Sequence, residues 1–349
     1  MNTNRRGGID NLALMIILSI VLILIFTFAY KAYLGFSGNS YSQCGIFLAR
    51  GGGGDKGFND LVIKGLQRVQ NELKVELNFK SYQSDDQNTK DADYLLKKEK
   101  YDLLIGVGFE HEELFTKLSK TFKKAVFVII DSYVPGKNVA SLIFKEHEGG
   151  FLAGAFAAMV SKGKPIGFIG GMMIPPVERF CDGYVEGAKY VFPSINVMIE
   201  YVGTDPSAFA NKAQGKKLAL AMYKRGISII FQAAGGSGLG VIDAAVESKK
   251  YVIGVDSDQS SLAPANVITS VEKRLDVVVF EFMKSTLAEG FKGGKQYFGV
   301  KEKAIRLSPF DYAKFKFINP EFETKIQKIE KDIINDKIKT LKNIKNLYD

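Results

Sequence analysis

Short apolar segments alternate with amphipathic segments along most of this sequence. After residue 57, Leu61, Leu66, Val69 and Leu73 lie close to the spacing of one helix face. By contrast, segments such as "CGIFLA", "YDLLIGVGF" and "KAVFVIID" are apolar at nearly every position, which is typical of strands buried on both faces. Because such strands recur with helical segments between them, the pattern predicts an α/β protein whose parallel sheets are covered by helices on both sides.

The alternation pauses between Ile143 and Glu148 and then starts again, which predicts two similar α/β lobes joined near this point. Parallel sheets of this kind bind ligands at the carboxyl ends of their strands. The segments that follow the predicted strands come from both halves of the chain, so we expect a ligand cleft between the lobes. These strand-end segments are "RGGGGDKGFN", "GVGFEHE", "IIDSYV", "GGMMIPPVERF", "VGTDPSAF", "FQAAGGSG", "GVDSDQSS" and "ITSVEK".

The amino-terminal segment differs from the rest of the chain. Leu12 to Tyr30 carry no charge, and at about 1.5 Å per residue such a helix spans a hydrocarbon core of ~30 Å. Arg5 and Arg6 precede it, which favours a cytoplasmic start and a body outside the membrane. We predict an uncleaved signal anchor. A cleaved signal peptide and lipidation of Cys44 are the alternatives, but the apolar residues after Cys44 indicate that it opens the first strand instead.

Composition and charge narrow the classes of function. The chain has 349 residues, 46% hydrophobic and 24% charged, which is enough for two folded domains of ordinary size. Its net charge of +9 comes from lysines spread along the sequence, not from basic patches with interleaved aromatic residues, so we expect no nucleic-acid site. The chain has two cysteines, two histidines and no CxxC spacing, so neither a zinc site nor a Cys–His catalytic pair is expected.

The most unusual short segment is "GGGGDKGFND", at residues 51–60. It is not a phosphate-binding loop, because no serine or threonine follows its lysine to reach a magnesium ion. In one interpretation the segment is a tight turn from strand to helix, with Asp55 as the helix cap and Phe58 packed inside. In the other, Phe58 faces a ligand beside the amide of Asn59. A ring and an amide suit a planar heterocycle, whose faces stack and whose edge forms hydrogen bonds.

A second glycine-rich segment, "GGSGLG" at 235–240, follows a predicted strand and opens a helix. It imitates a dinucleotide-binding fingerprint, but Val241 stands where the third glycine is required. We therefore expect Gly235 and Gly236 to let the strand end approach a ligand, or simply to form the turn.

Two carboxylates follow the next predicted strand in "GVDSDQ". No further acidic motif accompanies them, so a metal site is not expected. A carboxylate at the strand end, Asp256, is well suited to accept hydrogen bonds from two hydroxyls of a sugar. Lys273, in "ITSVEKRLD", has three interpretations: it contacts the same hydroxyls, it holds that carboxylate, or it is a solvated helix lysine.

These segments together resemble the basic membrane protein family, the PnrA-like substrate-binding proteins of ABC transporters. The resemblance runs in order from about Gly45 to beyond Asp276, most of the part that follows the anchor. The segments that carry it are "DKGFND", "IGVGF", "FKEHEGGFLAGAFAA", "IGFIGG", "FCDGYVEGAKY", "IIFQAAGGSGLGVIDAA", "VIGVDSDQS" and "ITSVEKRLD".

The resemblance implies a type I periplasmic-binding fold, with two Rossmann-like lobes and a hinged cleft. Well-known members bind purine nucleosides, with the base between aromatic rings and the ribose held by an aspartate and a lysine. Carried over, Phe58 and Asn59 would contact the base, and Asp256 with Lys273 would contact the ribose. The implied ligand-binding residues are Asp55, Phe58, Asn59, Phe180, Phe209, Gly235, Gly236, Asp256 and Lys273.

Phe209, before the helix "AQGKKLA", is the expected second ring, with Phe180 as the alternative. Two features depart from the family pattern. Many members carry an aspartate at the end of the first strand, where this chain has Ala49 and Arg50. Most members are also lipoproteins, whereas this chain is expected to keep a helical anchor.

The expected domains are a cytoplasmic tip, anchor and linker at 1–43, and a carboxyl-terminal helix at 319–349. The first lobe is expected at 45–144 with about 257–290, and the second at 145–256 with about 291–318.

The expected function is that of a solute-binding protein for an ABC importer, placed on the outer face of the cell membrane. We expect a monomer that binds a purine nucleoside and contacts a permease, with no catalysis and no cofactor. The alternatives are an oxidoreductase that binds a dinucleotide at the glycine-rich loops, and a membrane-held nucleoside receptor without a transporter.

Overall fold

The computed structural model describes residues 15–27, 41–311 and 314–340. Its body consists of two six-stranded sheets with helices packed around them. The strands are β1 Gln43–Phe47, β2 Glu76–Lys80, β3 Leu103–Val107, β4 Val126–Ile130, β5 Val139–Phe144, β6 Ile166–Gly170, β7 Val197–Tyr201, β8 Ile229–Ala233, β9 Tyr251–Asp256, β10 Val267–Lys273, β11 Gly294–Phe298 and β12 Ile305–Leu307. The helices of the body are α1 Phe58–Leu73, α2 Asp85–Lys97, α3 Glu112–Thr121, α4 Glu146–Ser161, α5 Pro175–Val191, α6 Lys212–Lys224, α7 Gly238–Ser248, α8 Leu275–Glu289 and α9 Pro320–Ile334.

The two sheets form two lobes of similar design. The first sheet has the order β11-β5-β4-β3-β1-β2, and all of its neighbouring strands are parallel. The second has the order β12-β10-β9-β8-β6-β7 and is parallel except for β12, which runs antiparallel to β10. Every residue of β3, β4, β5 and β8 is buried, as expected for apolar strands covered on both faces. The predicted fold class is confirmed.

The chain passes between the lobes at points that differ from the predicted boundaries. The segment 257–290 was assigned to the first lobe, but β10 within it pairs with β9 in the second sheet. The segment 291–318 was assigned to the second lobe, but β11 pairs with β5 in the first. Within these two segments, α8 and β12 lie where they were expected. Helix α8 packs on α1, since a Cβ on Gly65 would be 2.6 Å from the Asp276 carbonyl oxygen, and β12 pairs with β10 in the second sheet. Strand segments can be recognised locally, whereas their sheet partners depend on contacts distant in sequence.

Helices α4 and α5 pack unusually closely in the second lobe. A Cβ on Gly154 would lie 2.0 Å from the Tyr184 carbonyl oxygen, and one on Gly183 only 2.2 Å from that of His147. Neither position has room for a larger residue. Glu146, the first residue of α4, is fully buried and accepts a hydrogen bond from Lys273, which lines the cavity between the lobes.

Parts of the predicted terminal segments fall outside the described residues. Residues 15–27 are helical, and the rest of the predicted span from Leu12 to Tyr30 lies outside the described ranges. No helix among the described residues is both long and apolar enough to cross a membrane. Cys44 is the second residue of β1 and is fully buried, in agreement with its interpretation as a strand residue. The carboxyl-terminal helix predicted at 319–349 is α9, which ends at Ile334; residues 335–340 are not helical, and residues 341–349 are not described.

Candidate functional site

A cavity of about 340 Å³ lies between the lobes, where the carboxyl ends of strands from both sheets meet. Its volume falls in the range of small-molecule sites, about 300–1,000 Å³. All of the candidate residues from the sequence line this cavity: Asp55, Phe58, Asn59, Phe180, Phe209, Gly235, Gly236, Asp256 and Lys273. Their placement agrees with the sequence expectation, and their contacts with a ligand remain predictions.

The glycine-rich loop after β1 is held by a carboxylate from the first turn of α1. Gly51 and Gly54 have φ values of 99° and 97°, which side chains other than glycine rarely adopt. Asp60 accepts hydrogen bonds from the backbone N–H groups of Gly54 (2.6 Å) and Lys56 (2.9 Å). The glycines therefore allow a sharp turn, and the turn brings the main chain to the cavity.

Asp55 caps the start of α1, as one of the two sequence interpretations has it. Its carboxylate accepts hydrogen bonds from the N–H groups of Gly57 (2.9 Å), Asn59 (2.8 Å) and Asp60 (3.2 Å). These bonds satisfy helix donors that would otherwise have no partner. Asp55 thus has a structural task in addition to lining the cavity.

Phe58 and Asn59 begin α1 and both reach the cavity wall. Phe58 is half-buried against the core, as in the interpretation that packs it inside, and it also lines the cavity, as in the interpretation in which it faces a ligand. Asn59 is almost fully buried, and its Oδ1 accepts a hydrogen bond of 3.1 Å from the Ala49 N–H. This bond leaves the amide NH₂ of Asn59 as the group that can donate to a ligand.

Two further rings line the second-lobe side. Phe209 lies at the end of a short helix and packs over the backbone of Gly171, where an added Cβ would be 2.4 Å from the ring. Phe180 is 4% exposed and packs edge-on against Phe231, with 5.7 Å between ring centroids. Phe209 is the less buried of the two, so it has more ring surface to offer a ligand.

The second glycine-rich segment brings main chain to the same wall. Gly235 has φ of 54°, and both Gly235 and Gly236 lie against the backbone of Phe209. Val241, the residue that breaks the dinucleotide fingerprint, is fully buried in the core of the second lobe. The segment therefore forms a turn at the cavity rather than a complete dinucleotide-binding loop.

Asp256 ends β9 in the left-handed region, with φ of 66°, and is 8% exposed. Its carboxylate accepts no hydrogen bond from any residue that the structure describes. Burial raises the pKa of this carboxyl to about 7, and the nearby Lys273 charge offsets part of the shift. The other lobe lies close, since a Cβ on Gly57 would be 3.0 Å from Asp256 Oδ2. Asp256 thus presents an acceptor without a donor at the meeting point of the lobes.

Lys273 ends β10 and is buried, so its interpretation as a solvated helix lysine is wrong. Its Nζ donates to Asp131 of the first lobe and, at 2.7 Å, to Glu146 Oε1. Arg179 holds the other oxygen of Glu146 at 2.6 Å. Burial acts to lower the pKa of Lys273, but its acidic neighbours outweigh this effect and raise it. Lys273 therefore links the lobes as a cation, and its hydrogen bonds go to these carboxylates rather than to Asp256.

Asp131 is a cavity residue that the sequence analysis did not select. It follows β4 with φ of 62°, as Asp256 ends β9 with φ of 66°, and each is followed by a serine. Its Oδ1 is buried without a hydrogen-bond partner among the described residues, and burial raises the pKa of this carboxyl to about 6. The repeated Asp–Ser after an apolar strand in each half was the sequence signal for it.

The described residues show no candidate metal site. Within them, no group of three or more histidine, cysteine, aspartate or glutamate side chains is placed to hold a metal ion. The cavity instead combines aromatic rings, an amide and carboxylates, which suits an uncharged ligand with a flat ring and several hydroxyl or N–H donors.

The two parallel-sheet lobes and the cavity between their strand ends define a solute-binding protein of the periplasmic type. The chain belongs to the family of PnrA-like ABC transporter substrate-binding proteins, whose family model matches residues 43–343. The resemblance to the basic membrane proteins is thereby confirmed.

Individual relatives agree with this assignment. Basic membrane protein D of Borreliella burgdorferi is 36% identical over 90% of this chain and 93% of its own length. The ABC transporter nucleoside-binding protein BmpA of Lactococcus lactis is 34% identical over 85% of this chain and 88% of its own length. The crystal structure of an ABC transporter solute-binding protein from Aeropyrum pernix superimposes with a TM-score of 0.78, at 26% identity, and covers 87% of this chain and 95% of that one.

Proposed function

We propose that this protein binds a purine nucleoside between its lobes outside the cytoplasmic membrane and delivers it to the permease of an ABC importer. The observation that carries the proposal is the arrangement in the cavity: the Phe58 and Phe209 rings line the same space as the unpaired Asp256 carboxylate. The family assignment supports transport, and the Lactococcus lactis relative is named as a nucleoside-binding protein.

The ligand class follows from the chemistry of the walls. Aromatic rings favour a flat base, with about 0.5–1.5 kcal/mol per ring pair beyond the area buried. An ionised carboxylate favours the adjacent hydroxyls of a ribose, and each hydrogen bond to a charged group contributes about 1.5–3 kcal/mol. A molecule with a flat base at one end and a sugar at the other satisfies both, which a base or a sugar alone does not.

The mechanism is closure of the lobes on the ligand without a chemical step. The cavity walls come from both sheets, and the chain crosses between the lobes after β5, after β10 and between β11 and β12. These crossings are our proposed hinges. A monomer is sufficient for this mechanism, because one chain supplies both walls.

The nucleoside proposal is tested by calorimetry on the full chain in mild detergent, with adenosine, guanosine, inosine and the corresponding free bases. We expect a nucleoside to bind more tightly than its base. Asp256→Ala should weaken nucleoside binding by about tenfold to a hundredfold and shrink this preference. Asp258→Ala is the matched control, since Asp258 is exposed two residues away. If no nucleoside binds, the ligand is misassigned; if Asp256→Ala keeps the full preference, the ribose contact is misassigned.

The location outside the membrane rests on the uncharged segment that follows Arg5 and Arg6. Protease added to spheroplasts should digest the body while a cytoplasmic marker survives. Protection of both would show that the orientation is wrong. Loss of nucleoside uptake on deletion of the gene would favour a transporter component over a membrane-held receptor.

A further inference from the structure

Glu110 is a cavity residue that the proposed function does not use. It lies in the short helix Phe109–His111, just after β3 of the first lobe, and its side chain lines the cavity. Its Oε1 accepts a hydrogen bond of 3.2 Å from the Arg50 N–H. Its Oε2 is buried and has no hydrogen-bond partner among the residues that the structure describes. An unpaired buried carboxylate oxygen is costly, so a partner from outside the protein would be favourable.

The main chain after β1 places Glu110 beside Asn59. The N–H of Ala49 holds Asn59 Oδ1, and the next N–H along the chain, that of Arg50, holds Glu110 Oε1. Each side chain is thus held through one of its polar atoms, and its other polar group is available to a ligand. In Asn59 this available group is a donor, the NH₂, and in Glu110 it is an acceptor, Oε2.

The backbone around Glu110 leaves room for the carboxylate only because Gly108 has no side chain. Gly108 has φ of 92°, and a Cβ there would lie 2.5 Å from Glu110 Oε2 and 3.3 Å from the Ala49 Cβ. Burial raises the pKa of the Glu110 carboxyl, while backbone N–H groups, including that of Arg50, act to lower it. The backbone therefore holds the carboxylate close to the strand end, but only one of its two oxygens has a hydrogen-bond partner among the described residues.

We propose that Glu110 determines ligand specificity by accepting a hydrogen bond from an N–H on the edge of the bound base, while the Asn59 amide donates to the acceptor next to that N–H. The proposal rests on the proposed function, because it assigns the base edge of a nucleoside to this end of the cavity. Purine nucleosides with a free donor–acceptor pair fit: N1–H with O6 in inosine, or the 6-amino group with a ring nitrogen in adenosine. Methylation of the donor removes the N–H that Glu110 would bind.

The test measures preference within matched ligand pairs by calorimetry on the full chain in mild detergent. The pairs are inosine with 1-methylinosine, and adenosine with N6,N6-dimethyladenosine. We expect the parent protein to prefer at least one unmethylated nucleoside by about tenfold to a hundredfold, because a hydrogen bond to a charged group is lost on methylation. In Glu110→Gln, Arg50 still holds Oε1 and an NH₂ replaces the free acceptor, so the preference should fall close to one.

Two controls separate this role from a structural one. Glu113→Gln alters an exposed glutamate three residues away, which pairs with Lys117 at the surface, and should keep the parent preference. Damage to the fold by Glu110→Gln would weaken both members of a pair alike and leave their ratio unchanged. That unchanged ratio would overturn the proposal, as would a parent protein that binds nucleosides but does not distinguish the methylated ones. If the parent protein binds no nucleoside, both this proposal and the proposed function are overturned.

Discussion

Replacement of Lys273 by methionine tests the charge network that joins the lobes. Lys273 is 2% exposed in its side chain, Asp131 is 7% and Glu146 is 0%, so all three charges are removed from water. Methionine keeps most of the unbranched stem among Phe58, Phe144 and Phe180, whose rings lie 4.8–6.0 Å from Nζ. The substitution therefore removes the charge and leaves most of the packing.

The magnitude follows from which carboxylate loses its partner. Glu146 keeps Arg179 at 2.6 Å, so its charge stays compensated. Asp131 loses its cation, and its Oδ1 already lacks a partner among the described residues. Breaking a buried ion pair on one side costs about 3–5 kcal/mol, and we expect a value near the lower end because Glu146 stays paired.

The free energy of unfolding is measured by urea denaturation of the full chain in mild detergent. Lys212→Met is the matched control: Lys212 also lines the cavity, but its pair with Asp243 is about half exposed and should contribute about 0–1 kcal/mol. Adding Asp131→Asn to Lys273→Met should recover part of the loss, because the uncompensated charge is gone. The reasoning is refuted if Lys273→Met costs no more than the control, or if the two substitutions are additive.

Two further outcomes are expected. The folded-state pKa of Asp256, about 7, exceeds its ordinary value of 3.8, so its contribution to stability is full below about pH 4 and is lost as the pH rises through 7. Between these pH values the unfolding free energy should fall with pH, and Asp256 contributes up to about one proton, or about 1.4 kcal/mol per pH unit, to that slope. Asp256→Asn should therefore make the slope shallower, whereas the control Asp258→Asn should not. An unchanged slope in Asp256→Asn would contradict the assignment. Gly154→Ala should destabilise by about 3 kcal/mol or more, because its Cβ would lie 2.0 Å from a carbonyl oxygen. The exposed Lys189→Ala should stay within about 0.5 kcal/mol, and a Gly154→Ala variant as stable as that control would show that the helices can separate at little cost.

Much of the site was predictable because its residues follow strands. Parallel strands end at one edge of each sheet, so apolar segments followed by polar or glycine-rich segments already indicate the ligand edge. Phe58 and Asp256 were selected from such segments, and Phe209 was implied by the family resemblance; all three line the cavity. The same reasoning covered the "IIDSYV" segment, but Asp131 was not selected from it, although an Asp–Ser pair follows an apolar strand there as it does at Asp256.

The role of Lys273 was not predictable from its neighbours along the chain. Its position after an apolar strand was evident, but its partners Asp131 and Glu146 are 142 and 127 residues away in sequence. Glu110 was missed for the same reason, since its anchor is the N–H of Arg50, 60 residues earlier. Hydrogen bonds between segments far apart in the chain leave no periodic pattern in the sequence, so they cannot be predicted from it.

The sequence by itself determined the class of protein: alternating buried strands and helices require two parallel sheets, and the ordered family segments indicate a substrate-binding protein. Only the tertiary structure decided which strand joins which sheet, as β10 and β11 demonstrate by lying in the lobes opposite to those expected. It also decided which carboxylates of the cavity are paired and which are not. The physical reason is that the period of apolar residues depends on local backbone geometry and burial, whereas sheet partners and charge pairs depend on the global packing of segments far apart in the chain.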